Sequence, residues 1–388
     1  MRDDAMPSAE QEQHERRVRR MIAGEISAAG GWISFERYMD LALYAPGLGY
    51  YSAGAHKLGA GGDFTTAPEI SGLFGACVAN QCAEIFGELP GASILEVGAG
   101  TGQLAVDVLT RLDAQGCAPE RYFILDVSAD LRQRQRQLVR ERIPHLESRL
   151  IWLDAPPAAA FDGVVIANEV LDALPVARFR WHRTHCEELG VAAAAGAFVW
   201  SARPAPPSMA AACAELGAAA GWDDGYVSEY CPRLRAWSVA LVQGLRRGAV
   251  LWCDYGLPRP QYYLPERRDG TLICHFQQRI CDEPFSRPGL QDISAWVDFT
   301  ALAEACGAAR CELAGFTTQA FFLAALGIDA EMLRAAGGNQ QRFAQLANQA
   351  KRLMLPGEMG ERYKLMAWTR GLRREPSGFA LQDLRHSL

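Results

Sequence analysis

The 388-residue chain has no apolar run approaching the ~18 residues that a membrane span needs. Its eleven cysteines include no C-x-x-C pair, and Cys77, Cys253 and Cys306 lie inside apolar runs. That pattern excludes a zinc ribbon or a disulfide framework and points to buried thiols in a reducing compartment. Basic excess is also missing: 39 Lys and Arg against 45 Asp and Glu give a net charge of −6, which advertises no nucleic-acid partner and suits a cationic one. Residues 1–20 carry both signs without an apolar core, so neither a secretory signal nor a mitochondrial transit peptide is expected, and a bacterial cytoplasm is the expected setting. His182, His185 and Cys186 lack a fourth ligand and alternate across a strand pattern, so no metal is expected there. No internal repeat is apparent.

What is present is organised around Ser93–Gln103, where the apolar run Ser-Ile-Leu-Glu-Val stops at Gly98-Ala-Gly100-Thr-Gly102. Apolar residues then recur at helical spacing (Leu104, Val108, Leu109, Leu112), which predicts a buried parallel strand, a tight turn and a helix. Glycines in such a turn allow positive φ and close approach of a ligand to the backbone and to the helix N–H groups. The dinucleotide fingerprint G-x-G-x-x-G is not met, because position 103 is Gln. Glu96, two residues before the first glycine, makes the stretch resemble motif I of class I S-adenosylmethionine-dependent methyltransferases. A carboxylate there favours an ammonium and a sulfonium over a pyrophosphate.

Taken in order, helices are expected over 15–28 and from Ser34, followed by an aromatic loop, Tyr44 to Tyr51, that either packs down or lines a pocket. Gly61 to Ser71 offers Asp63, Thr65, Thr66 and Glu69 just before a helix expected over 70–86; it reads equally as a helix cap or as a cofactor lid. A second strand ends at Asp126, 24 residues beyond Gly102, where an acid can accept both ribose hydroxyls. A third strand ends in Asp154, beside Trp152 at the expected adenine edge. A fourth runs into Asn168-Glu169-Val-Leu-Asp172-Ala-Leu-Pro175, at the edge facing the transferable group. Alternation over 178–199 suggests inserted antiparallel strands, with a variable loop at 204–207, and Val227-Ser-Glu229-Tyr230 is expected to return to the pocket. Helices are expected over 234–245, 293–306 and 319–353. A fifth strand ends in Asp254-Tyr255-Gly256, and two more are expected over 310–316 and 363–369.

These stretches resemble one family, the MidA-like protein arginine methyltransferases, which include the mitochondrial assembly factor for respiratory complex I. The matching segments are Gly62–Ser71, Glu96–Gly102, Asn168–Pro175, Asp254–Gly256 and Asp292–Phe299, with Asp126 a departure where relatives carry Glu. The resemblance implies an α/β class I methyltransferase fold with a Rossmann-like seven-stranded sheet. Residues 1–88 would supply N-terminal helices and a lid loop, and 89–388 the core, with insertions at about 175–234 (β-rich), 257–291 (lid) and 319–355 (helical). It implies S-adenosyl-L-methionine as cofactor, S-adenosyl-L-homocysteine as product, and symmetric dimethylation of an arginine on a protein, a complex I subunit being the candidate. No nucleic acid is expected, and a homodimer is left open.

Cofactor contacts are expected from Asp63, Thr65, Thr66, Glu96, Gly98, Gly100, Gly102, Asp126, Asp154 and Asn168. An arginine is a poor nucleophile while charged, so carboxylates must bind the guanidinium and accept a proton. Glu169 is the first candidate, with Asp172, Glu229 and Asp63 behind it; the competing role for Glu169 is a cofactor contact or a helix cap. Tyr255 and His275 are candidates to steer the target. Two other readings stay open: a methyltransferase acting on a small molecule or another side chain, and a non-catalytic S-adenosylmethionine-binding assembly factor.

Overall fold

The computed structural model describes residues 8–53, 65–277 and 279–388. Seven strands form the main path of the central sheet, β1 Ser93–Val97, β2 Tyr122–Leu125, β3 Leu150–Leu153, β4 Phe161–Asn168, β5 Leu245–Leu257, β6 Glu312–Thr318 and β7 Tyr363–Arg370, and an eighth short strand, Val297–Asp298, pairs with the end of β5. Their order is β3-β2-β1-β4-β5-β7-β6. β1 to β5 are parallel, while β7 runs antiparallel between β5 and β6. This is the arrangement that the resemblance to class I methyltransferases implies.

The strands are apolar on both faces because both are covered. Ile94, Val164, Ile166 and Leu251 join one core with the helices Gly72–Phe86 and Gln103–Ala114. Leu95, Val97, Val165 and Trp252 join the other with Leu234–Leu241 and Phe299–Ala308. β2 pairs with one edge of β1 and β4 with the other, so the chain's direction across the sheet reverses between them. The crevice beyond their carboxyl ends is where a doubly wound sheet binds its ligand.

A second, antiparallel sheet stands apart from the first. It consists of Ala177–Trp181, Cys186–Ala194, Ala197–Pro204 and Tyr226–Tyr230, with Ile33–Ser34 on the edge. The N-terminal helices Ala9–Ala28 and Phe35–Tyr44 pack here, through Val18, Ile22, Phe35 and Tyr38 against Val191, Phe285 and Ile293. A small third sheet joins Ile273–Phe276 to Arg279–Cys281 and Asp292–Ser294.

Several local expectations fail for identifiable reasons. The first helix begins at Ala9, six residues early, because Ser8 and Gln11 form a capping box that fixes its start. The helix expected over 70–86 is interrupted at Ser71, whose extended backbone lets its side chain cap Gly72–Phe86. After the proline-rich 204–207 stretch comes an unforeseen helix, Pro207–Ala220, with Pro at its first position, where no N–H is needed. The helix expected over 293–306 starts only at Phe299: Asp298 caps it, and the preceding residues are short strands. The segment 257–291 is not irregular throughout, since it carries a short helix, Arg259–Tyr262, and the Ile273–Cys281 hairpin.

Candidate functional site

The turn after β1 is built as its glycines require. Gly98, Gly100 and Gly102 have φ of 63°, 55° and 90°. A Cβ at Gly98 would lie 3.0 Å from Val170 Cγ2, and one at Gly102 would press on Gln135. Beside the turn a cavity of about 630 Å³ opens, within the ~300–1,000 Å³ usual for ligand sites. Its lining includes Gly98, Gly100, Asp126, Asn168 and Glu169, together with Tyr44, Tyr51, Trp237 and Leu241. Among the described residues its walls carry six acids (Asp40, Glu69, Glu96, Asp126, Asp154, Glu169) and one base, Arg233. That base is already ion-paired with Glu36 and Asp40. An entering cation therefore meets more acids than bases on these walls.

Each acid is held differently. Glu96 is 2% exposed and accepts 2.8 Å from the Tyr122 hydroxyl; burial lifts its pKa to about 8, with Asp126 and Asp107 adding to the rise. Asp126 caps the end of β2, accepting 2.9 Å bonds from the Ser128 N–H and from Gln135 Nε2, and burial raises it too. Gln135 also donates to the Gly100 carbonyl and accepts from Trp152 Nε1, tying turn, acid and adenine edge together. Asp154 sits on the rim, 86% exposed and paired with Arg132.

Glu169 is the first residue past β4 and adopts φ 53°, a left-handed conformation that costs a non-glycine residue on the order of 1–3 kcal/mol. Its N–H donates 2.8 Å to the Cys253 carbonyl, anchoring the bend. The carboxyl accepts from the Ala67 N–H (3.2 Å), the Tyr363 hydroxyl (3.1 Å) and Asn168 Nδ2 (3.3 Å). Burial, reinforced by Asp172, raises its pKa to about 8. Asp254 on β5 shapes the loop beyond Glu169, one oxygen accepting from the N–H groups of Val170, Leu171 and Asp172 at 3.1, 2.8 and 3.3 Å. Asp172 accepts 2.5 Å from Tyr255, and burial raises both Asp172 and Asp254. The segment 66–71 closes over the turn, with Thr101 donating to Glu69 and Thr66, Pro68 and Glu69 in the cavity wall.

Residues 77–317 match a family of S-adenosyl-L-methionine-dependent methyltransferases. The chain belongs to that family. Among solved structures it is similar to a superfamily member from Burkholderia thailandensis bound to S-adenosyl-homocysteine, with 40% identity, TM-score 0.94 and 99% of both chains covered. Among curated proteins it is similar to the Danio rerio protein arginine methyltransferase NDUFAF7, mitochondrial, with 28% identity over 89% of this chain and 85% of the relative. The Homo sapiens protein of that name is 27% identical over 87% of this chain and 80% of its own.

The methyltransferase's cofactor carries an ammonium and a sulfonium, and this cavity fits them. Among the described residues no basic side chain is ion-paired with Glu96 or Glu169, and Asn168 Oδ1 is buried without a hydrogen-bond partner. Of the expected residues, Thr66, Glu96, Gly98, Gly100, Asp126, Asp154, Asn168 and Glu169 line the cavity. Gly102 underlies the turn, and Thr65 is outside the wall. Asp172 and Tyr255 stand behind the wall as a bonded pair. Asp63 lies outside the described residues.

Two expected residues are placed elsewhere. Glu229 is fully buried in the second sheet, accepting from the Thr271 N–H (2.6 Å), Thr271 Oγ1 (2.8 Å) and Tyr262 (3.1 Å), so it fastens the 269–271 turn and is absent from the cavity wall. His275 lies on the third sheet opposite Asp292, likewise outside the wall. Sequence reasoning missed Gln135, although its place between Leu131 and Val139 at four-residue spacing puts a polar residue on a buried helical stripe. Tyr363 gave no local signal at all, being 194 residues from the carboxyl it contacts.

Proposed function

We propose that this methyltransferase modifies a protein arginine, with Glu169 at the acceptor nitrogen and the cofactor held by Glu96, Gly98, Gly100, Asp126 and Asn168. The observation that carries the reading is the acid-lined cavity, whose one base among the described residues is already ion-paired and whose walls also include Tyr44, Tyr51 and Trp237. An acid-lined cavity of that volume suits a long cationic side chain. The names of the curated relatives support the same substrate class.

When bound, S-adenosyl-L-methionine supplies an electrophilic methyl group on a sulfonium. The chain's own residues then have three tasks: orient the guanidinium, exclude water and take a proton. With a pKa of about 8, the Glu169 carboxyl is mostly protonated near neutrality until a cation arrives. An entering guanidinium draws it into the charged form, and the resulting ion pair biases charge onto the nitrogen that does not react. A carboxylate with a pKa near the working pH is also well matched to receive the released proton. Tyr363, Ala67 and Asn168 fix its direction. The resemblance to complex I assembly factors makes a respiratory complex subunit the first acceptor to try.

Lysate proteins incubated with the purified enzyme and methyl-labelled cofactor should acquire label on arginine. Glu169→Gln should bind S-adenosylhomocysteine within about threefold of wild type yet lose at least a hundredfold in labelling, the scale on which a general base contributes. Label confined to low-mass material would instead assign a small cationic acceptor to the same cavity.

A further inference from the structure

Cys274 and Cys281 face one another across an antiparallel hairpin, and neither has a part in the chemistry above. The strands Ile273–Phe276 and Arg279–Cys281 pair in the register Cys274↔Cys281, His275↔Ile280 and Phe276↔Arg279. Directly opposed residues in such a ladder share a face, with Cα atoms about 4.5–5.5 Å apart. That spacing falls inside the ~4.4–6.8 Å bridged by a disulfide. Among the described residues, no other two cysteines are ladder partners. The two thiols also differ in access: Cys274 is 1% exposed, whereas Cys281 is partly open beside Ile280, itself 66% exposed.

We propose that Cys274 and Cys281 form a redox-active dithiol, closed by a low-molecular-weight disulfide such as glutathione disulfide and reopened by thiols. Cys281 reacts first because it is reachable; its thiolate attacks one sulfur of the glutathione disulfide, forming a mixed disulfide and expelling one glutathione thiolate. Cys274 then loses its proton and attacks the Cys281 sulfur, forming the intrachain bond and expelling the second glutathione. Two protein thiols are oxidised, one glutathione disulfide is reduced to two glutathiones, and the two protons leave with them. Burial holds the Cys274 thiol well above its ordinary pKa, so it resolves the mixed disulfide better than it could initiate one.

The hairpin is wired to the wall of the cavity. Its first strand also pairs with Asp292–Ser294, in the register Cys274↔Ile293 and His275↔Asp292. Asp292 accepts 2.8 Å from the hydroxyl of Tyr51, a cavity residue, and the Ala295 N–H donates 3.0 Å to the Asp172 carbonyl. Closing the disulfide removes freedom from the hairpin's edge and so stiffens the strand that carries the first contact and leads directly into the second.

The full chain, equilibrated in glutathione buffers of graded oxidation, acid-quenched, blocked with N-ethylmaleimide and cut with trypsin without reductant, gives the test. Cleavage after Arg268 and Arg279 places the two cysteines on separate peptides, so the disulfide appears as a cross-linked pair. The pair should grow with the oxidised fraction, vanish on dithiothreitol and be missing from Cys281→Ser, a partly exposed position where serine is tolerated. A folded wild type giving no such pair at any ratio, or only mixed disulfides or pairs with other cysteines, would overturn the assignment. Amide exchange should slow at residues 292–295 in the oxidised wild type and stay unchanged in Cys281→Ser. Equal exchange in both redox states would refute the connection to the cavity wall.

Discussion

A carboxyl group 2% exposed at the end of a central strand is costly to charge unless a cation meets it, and among the described residues Glu96 is bonded only to the Tyr122 hydroxyl. The cofactor's ammonium would complete this site, and a hydrogen bond to a charged group is worth about 1.5–3 kcal/mol. Glu96→Gln should therefore weaken S-adenosylhomocysteine binding by about 10- to 100-fold in calorimetry, with little loss of fold. The pH dependence should change as well. Wild-type affinity should rise through pH 8 as Glu96 ionises, and the Gln variant should show no such rise. Gly98→Val should abolish binding, because its side chain meets Val170 at a backbone angle that branched residues avoid. Glu96 and the glycines were legible in the sequence because their spacing carries the chemistry. Glu229 was not, because an acid near a strand end looks the same whether the strand borders the cleft or a second sheet.

The loop Asn168–Pro175 makes its shape from one side chain of the neighbouring strand. Asp254 Oδ2 accepts three consecutive backbone N–H groups, so the loop folds around an anion as a helix start does around a cap. Replacing Asp254 by Ala would strand those buried donors and should cost on the order of 3–5 kcal/mol in urea unfolding, with the loop loosened. Asp254→Asn keeps an acceptor and should cost less than half as much. A loss below 1 kcal/mol in the Ala variant would show that water or another group satisfies the loop. The strand carrying Asp254 was evident from its apolar run, and so was the polar loop. Their joining was not, because 82 or more residues separate donor from acceptor. The helix Pro207–Ala220 was missed for a local reason: an alanine- and proline-rich stretch with weak apolar periodicity reads as a loop, and its burial through Met209 and Cys213 comes from the second sheet.

Several buried acids with raised pKa values shape the behaviour of the whole molecule. Glu96 and Glu169 titrate near 8 and Asp107 near 7 in the folded state, all lifted first by burial. Between their unfolded values and these, the folded state binds protons that the unfolded chain has released, so stability falls as pH rises, by up to about 1.4 kcal/mol per unit for each group. The acids with lowered values, Asp162, Asp224 and Asp383, act oppositely but only below about pH 4. Urea midpoints should thus decline from pH 5.5 to 8.5, and the double variant Glu96→Gln, Glu169→Gln should flatten that decline. S-adenosylhomocysteine should flatten it in part, by pairing Glu96. The sequence by itself determined the strand-turn-helix at 93–114, the acid before its glycines and the alternation of apolar strands that makes a doubly wound sheet, because these are local patterns of spacing. Only the tertiary structure decided that Tyr363, Ala67, Gln135 and Asp254 bond to the wall residues Glu169, Asp126 and Val170 of one cavity while Glu229 and His275 fall elsewhere, because those distances are set by sheet order and register, to which each segment contributes only its own edge.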